Sequence, residues 1–595
     1  MYTSKLKYPY RLAFYGSLFV LLLTLLSACN FPWTSQASPT PTPPSTIQCT
    51  GHSSNPVTLN MYYGSEKEAW INVVVPGFNS RKMTACDGPI TVKATPIGSG
   101  QSMQGIVDGT IQPDIWSPAG RVWLNLLDSK WFKKYGSHII STGANDTPPL
   151  VDSPVVIAMW KSEAEALGWP NQPIGWAQIA SLSTGGWAAL GHPELTGKFG
   201  NFKFGHTRPD LSNSGLDAAI AEYYAGSGEQ HTLTLADVQS SQTKEFVANV
   251  ESSIIYYGDN SSNNSTGFFA SKMFCSGPSY LSAAVMYESL VIQGNDGQIT
   301  GNGKPCKLPE PVVAIYPSEG TFNSDHPFVI PQARWVTPAK QAAAEVFRDF
   351  LLSVPQQEKA LQYGFRPGTL NVNIGAPIDA AHGVNPHQPQ AILNVPSGDV
   401  VQAVETSWEN QRRKVDVMLI LDHSGSMNDN GKIGAAKQGL AEFVNLLGNL
   451  DGLGLTAFNN TIDVLSPVMP LGPNRQKILD QVNSITACCS TRLYDTIDQQ
   501  AKALAALSND RHIKVVVVLT DGMDDASTTS LTQLLHDIAT TGPNAGEGIK
   551  VFTIAYGGDA DIKDLKAIAN ATGGQEYYGT PQNIQQVYLQ ISQFF

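Results

Sequence analysis

At 595 residues the chain is too long for one hydrophobic core and must divide into several compact units. Only 15% of its residues are charged, against roughly 25% in an average soluble domain. The net charge of -12 is spread along the chain with no Lys/Arg-rich block, which excludes nucleic acid as a partner.

The first predicted element is an export signal. Lys5, Lys7 and Arg11 precede Leu12 to Leu26, an apolar run of about 15 residues that falls short of the ~20 needed to cross a bilayer. The sequence Leu26-Ser27-Ala28-Cys29 then resembles the bacterial lipobox. That resemblance implies cleavage before Cys29, diacylglycerol on its thiol, and a chain lipid-anchored to the extracytoplasmic face of the cell membrane. Residues 1–29 are therefore the expected lipoprotein signal. Residues 30–56, rich in Pro, Ser and Thr, cannot bury a core and are the expected tether.

Six further cysteines, an even number, fit an oxidising compartment. Proximity favours Cys49 with Cys86 and Cys275 with Cys306. The adjacent Cys488 and Cys489 read equally well as a vicinal disulfide or as two thiols packed on apolar surface.

Residues 57–392 alternate strand-like and helix-like segments: VTLNMYY then EKEAWINVVVPGF, ITVKATPI then QSMQGIVDG, DIWSP then GRVWLNLL, PVVIAMW then KSEAEAL. Such βα units predict an α/β fold with mainly parallel sheets. With the returning AAVMYESLV, AIYPSEGTF and HPFVIP, the order resembles the two-lobed type 2 periplasmic binding protein, the solute receptor of ABC importers. The resemblance implies a ligand cleft between lobes. Ser65, Ser99, Ser102, Ser117, Ser153 and Ser212 stand where helices begin, and such hydroxyls with free backbone N–H groups suit a small anion or polar solute. Taken singly, each serine is more simply an ordinary helix cap. Tyr62, Trp116 and Tyr316 either line the cleft or belong to the core.

Residues 393–412 read as a linker, and residues 413–595 resume the βα alternation as a doubly wound, Rossmann-like domain. The continuous apolar segments VMLIL and VVVVL predict strands covered on both faces. Three oxygen-rich segments stand at element ends: Asp422-His423-Ser424-Gly425-Ser426 follows VMLIL, the segment from Thr491 opens a helix, and Asp521-Gly522 closes VVVVLTDG. Together they resemble the metal-ion-dependent adhesion site of von Willebrand factor A (VWA) domains. The resemblance implies Asp422, Ser424, Ser426, Thr491 and Asp521 around Mg²⁺, or Mn²⁺ or Ca²⁺, with an acidic side chain from a protein partner completing the shell. Backbone alternation turns His423 away from the ion. Asp429, Asp524 and Asp525 either tune the local field or are exposed loop carboxylates without a specific task.

No G-x-S-x-G elbow, HExxH, Walker A or fitting GxGxxG occurs, so catalysis is not expected. The leading expectation is a membrane-tethered extracytoplasmic binding protein whose VWA domain engages a protein through a divalent metal. The alternative is an ABC-transporter receptor with an accessory VWA docking domain.

Overall fold

The computed structural model describes residues 55–592 apart from 87, 142–145, 255–256, 258–264, 302, 509–511 and 540–547. The expected signal, Cys29, Cys49 and nearly all of the tether lie outside the described residues.

The first lobe is built on Val57–Tyr63, which alternates along its length and buries Leu59, Met61 and Tyr63 completely. It pairs in parallel with Gly88–Pro96 and with Ile115–Ser117. The chain later returns to this lobe and bridges Trp116 to Val329 in antiparallel fashion. The helices Glu68–Ser80 and Pro338–Leu351 close one face, with Phe78 stacked edge-on against Phe347 at 4.8 Å.

The second lobe is organised by Val151–Trp160, buried at every position except Asp152. This strand lies antiparallel to Ala283–Tyr287 and to Val312–Ile315, while Phe204–Gly205 adds in parallel. The expectation of mainly parallel sheets therefore fails in this lobe. A strand covered on both faces shows an unbroken apolar run whatever the direction of its neighbours, so the pattern carries no information on polarity. Cys275 and Cys306 form the expected disulfide, with their Cα atoms 4.7 Å apart. Cys86 is also disulfide-bonded.

The segment expected as a linker contains the 14-residue helix Gly398–Gln411. Val400, Val404 and Trp408, spaced by four, lie on one stripe and are buried, together with Val401. The helix packs on the second lobe, where the Trp408 indole donates to Glu251 at 2.6 Å.

Beyond it a six-stranded sheet runs in the order Ile462–Pro470, Gly452–Phe458, Val415–Asp422, Ile513–Thr520, Lys550–Tyr556, Glu576–Gly579. All neighbours are parallel except the first, antiparallel pair. Val415–Asp422 is buried at all eight positions, as the apolar run predicts. Its alternate residues serve two helical layers, with Met418 and Ile420 in one cluster and Val417, Leu419 and Leu421 in the other. Register sets Asp422 beside Phe458 and Leu421 beside Leu519. Asp422 and Asp521 thus leave adjacent strands at the same carboxyl edge, where open α/β sheets place their ligand sites.

Candidate metal and solute sites

Where Val415–Asp422 ends, Asp422 Oδ1 accepts the Ser424 amide at 2.7 Å and so turns the chain out of the sheet. Its other oxygen accepts the Thr520 hydroxyl at 2.6 Å. Ser424 Oγ then lies 3.2 Å from Ser426 Oγ, and Ser426 Oγ donates to Asp521 Oδ1 at 2.7 Å. Thr491 Oγ1 faces the same turn, 3.3 Å from where a side chain on Gly522 would begin. Asp422 and Asp521 are fully buried, while Ser426 is half-buried and marks the open side. The five residues anticipated from the adhesion motif are brought to one edge of the sheet.

These residues fit a hard divalent ion. Neighbouring oxygens around octahedral Mg²⁺ stand about 2.9 Å apart, and the 2.7 and 3.2 Å separations bracket that value. Burial pushes the Asp422 carboxyl up to about 6, against the hydrogen bonds from Thr520 and Ser424.

Lys432, absent from the motif, also belongs here. It opens the helix Lys432–Leu446, and its Nζ lies 2.7 Å from Asp521 Oδ2. Asp521 keeps this ammonium charged above its usual range, against the effect of burial. The lysine precedes an ordinary amphipathic helix, and only the tight turn at Asn430 and Gly431, both with positive φ, swings it back over the sheet.

Two of the three loop carboxylates prove structural. Asp525 Oδ1 accepts the Thr491 amide at 2.7 Å while the Asp525 amide donates to Thr491 O at 3.0 Å, a reciprocal clamp. Asp524 Oδ1 caps the helix Leu493–Ala505 by accepting the Leu493 amide at 2.8 Å. His423 points away, as alternation requires, with Nδ1 2.8 Å from the Thr486 carbonyl.

Cys488 and Cys489 form neither of the expected arrangements: both are free and exposed. Their backbone does the structural task, with the Cys488 amide donating to His423 O and the Gly425 amide to Cys489 O at 2.7 and 2.9 Å. Clamping the motif turn in this way directs both side chains to solvent. Met523, on the same rim, is 63% exposed.

The serines proposed for the upstream cleft divide by position. Ser99 Oγ accepts the Ala119 amide, Ser102 Oγ accepts the Trp116 indole N–H, and Ser153 Oγ accepts the Ser289 amide, at 3.0, 2.9 and 3.1 Å. These three are internal braces, and Trp116 is core. Ser65 and Ser212 lie where the lobes meet, Ser65 Oγ 2.5 Å from Ser265 Oγ of the second lobe and Ser212 Oγ 3.0 Å from Thr266 Oγ1 within that lobe, while Ser117 ends the first-lobe strand Ile115–Ser117. The Gly100 amide donating to Leu211 O and the Trp123 indole donating to Asn213 cross the same boundary.

A buried group that the serine pattern did not reveal adjoins them. Lys67 Nζ donates to Glu66 at 3.0 Å and to His326 Nδ1 at 3.1 Å. Burial raises Glu66, but Lys67 and His326 outweigh it and hold the carboxylate at about 2. Burial and the Lys67 charge drive His326 down to about 4. The cluster is thus an ion pair beside a neutral imidazole. Ser117 Oγ and His326 Nε2 are buried without a hydrogen-bond partner. Nearby, a pocket of about 280 Å³ is lined from the first lobe by Ser65, Glu66, Glu68 and Asn72 and from the second by Ser271 and Gln293, among others.

The sequence profile described as bacterial extracellular solute-binding protein matches residues 59–366, more than half of the chain. The chain belongs to that family. A von Willebrand factor type A domain profile matches residues 416–591 of this solute-binding protein, so the two modules follow one another in the expected order. No curated protein matches it. Among solved structures, a von Willebrand factor type A protein from Catenulispora acidiphila is 21% identical, covering 31% of this chain and 42% of its own, with a TM-score of 0.28. The solute-binding protein therefore spans less than half the length of that relative. A periplasmic thiamin binding protein is 12% identical over 60% of this chain and 96% of its own, with a TM-score of 0.41. The periplasmic binding protein AfuA from Actinobacillus pleuropneumoniae, solved with fructose-6-phosphate, is 14% identical over 60% and 98%, with a TM-score of 0.40. Among the described residues of the solute-binding protein, no helix is long and apolar enough to cross a membrane.

Proposed function

We propose that this solute-binding protein is a lipid-tethered extracytoplasmic binding protein whose VWA domain holds a divalent ion and grips a protein partner through it. The observation that carries the reading is the convergence of Ser424, Ser426 and Asp521, linked by contacts of 2.7 and 3.2 Å at an edge left open beside Ser426. Ser424, Ser426, Thr491 and Asp521 would hold the ion, with Asp422 bracing the turn. An ion with mostly neutral hydroxyl ligands stays electrophilic and favours a carboxylate from outside. The exposed Met523 supplies apolar surface beside it, as a protein contact requires. No part of this role calls for catalysis. The test is pull-down of extracellular proteins by the full chain with Mg²⁺, with chelator, and with Asp422→Ala. Partner capture should need the ion and Asp422, and capture that survives both perturbations overturns the reading.

A second reading, receptor for an ABC importer, draws support from the pocket between the lobes. Its lining carries Glu66 and Glu68 but no lysine or arginine, which favours an uncharged or cationic polar solute over the anion first considered. A thermal-shift screen with polyols, sugars, amines and oxyanions distinguishes the two. Stabilisation by one of the first three classes supports transport, and no response to any class leaves the lobes as a scaffold.

A further inference from the structure

Three buried side chains under the connecting helix serve neither site. His206 follows the strand Phe204–Gly205, Glu222 lies within the helix Asn213–Ser227, and Glu251 ends the helix Ser241–Glu251. All three side chains are 0% exposed. His206 Nε2 lies 3.1 Å from Glu251 Oε1 and 3.7 Å from Glu222 Oε1.

The bonding around them shows what the three can hold. His206 Nδ1 is 2.8 Å from the Thr207 carbonyl, which can only accept, so Nδ1 carries the hydrogen. In the neutral ring Nε2 then turns a lone pair toward two carboxyl groups. Glu251 is well bonded, accepting the Trp408 indole at 2.6 Å and the Tyr257 hydroxyl at 2.5 Å. Glu222 is not: its buried oxygens receive no donor from the backbone or from a neutral side chain, and they face only the Glu251 carboxyl and His206 Nε2. Carboxyl oxygens that converge in a buried site are stabilised by a shared proton or by a metal ion, and the imidazole lone pair beside them favours the metal.

We propose that His206, Glu222 and Glu251 bind a divalent transition-metal ion, Zn²⁺ by preference, and that this ion fastens the second lobe to the helix entering the VWA domain. Ligand atoms at 2.0–2.1 Å from tetrahedral Zn²⁺ stand about 3.3 Å apart, and the measured 3.1 and 3.7 Å lie on either side of that distance. The three ligand atoms all lie within 4.8 Å of one another. Imidazole with carboxylates suits zinc, manganese or iron, and the enclosed, small ligand set suits zinc. The carbonyl behind Nδ1 is the outer partner that orients a metal-bound histidine. Two ionised carboxylates and a dication also sum to zero charge, which relieves the burial of Glu222. Glu251 carries the link onward through Trp408 and Tyr257, whose hydroxyl accepts the Arg413 amide at 3.0 Å just ahead of the first VWA strand.

The test uses the full chain produced in zinc-supplemented medium and freed of loosely held metal. Elemental analysis of the unmodified chain and of Asp521→Ala should return about one zinc per chain, while Glu222→Gln should lower zinc affinity at least about tenfold. A crystal of the unmodified chain should show zinc-edge anomalous density beside His206 Nε2, a readout that stands even if the variant fails to fold. Zinc content unchanged by Glu222→Gln, or anomalous density absent from that position, overturns the proposal. So does a metal-free chain that Glu222→Gln stabilises, since a proton shared by the two carboxyl groups would then account for the cluster.

Discussion

Lys432 Nζ lies 2.7 Å from Asp521 Oδ2, so a cation belonging to the chain itself holds one carboxylate of the edge proposed to bind the metal. The Lys432 side chain is only 8% exposed, and solvent screens the pair weakly. Its charge opposes any divalent ion that approaches Asp521.

Lys432→Met should therefore tighten Mn²⁺ binding by about tenfold, equivalent to about 1.4 kcal/mol. Isothermal titration against Mn²⁺ reads this directly. Weaker binding in the variant would show instead that the lysine orients Asp521 for the ion.

Asp525→Ala removes the carboxylate that clamps the Thr491 amide at 2.7 Å and leaves that amide without its partner. The loss of one charge-assisted hydrogen bond costs about 1–3 kcal/mol. Mn²⁺ affinity should fall while the circular dichroism of the folded chain is retained, because the clamp lies in a surface turn and not in the sheet. Unchanged affinity would mean that Thr491 keeps its place without Asp525.

Glu163 predicts a pH dependence. Its side chain is almost fully buried, and burial with repulsion from Glu310 pushes the carboxyl from 4.5 up to about 8, against a hydrogen bond from Ser282. Between those values the native state holds a proton that the unfolded chain has released. Its contribution to stability is present below the unfolded value and is lost as pH rises through about 8. Glu163→Gln should thus stabilise the protein by about 1–3 kcal/mol at about pH 8.5 and by little at about pH 5, measured by urea unfolding. An equal effect at both values would rule out the titration.

Cys488 and Cys489 should react with a thiol reagent in the native, unreduced protein, since both are free and exposed. Replacing both by serine should abolish that fast phase, and Cys275 and Cys306 should stay silent until reductant is added. A native protein that shows no fast phase would place a bond between the adjacent sulfurs.

Local pattern was enough for much of the architecture. VMLIL and VVVVL announced strands buried on both faces because an unbroken apolar run of that length tolerates little else. Asp422, Ser424, Ser426, Thr491 and Asp521 were legible as donors because each follows a strand or opens a helix at the edge where α/β sheets bind ligands. Sheet polarity in the second lobe was not legible, since apolar runs look alike in parallel and antiparallel pairs. Nor was the helix Gly398–Gln411, whose polar stretches and flanking Pro and Gly resembled a spacer until its valine and tryptophan stripe met the second lobe.

Residue order by itself determined which strands are central and which oxygens gather at the carboxyl edge of the last sheet, both consequences of hydrophobic pattern and short-range turn chemistry. Tertiary structure decided the partners across long sequence gaps: Lys432 with Asp521, Asp525 with Thr491, Lys67 with His326, and His206 with Glu222 and Glu251. Such pairings depend on where whole elements pack, and a charged side chain far along the chain carries no local mark of the group it will neutralise.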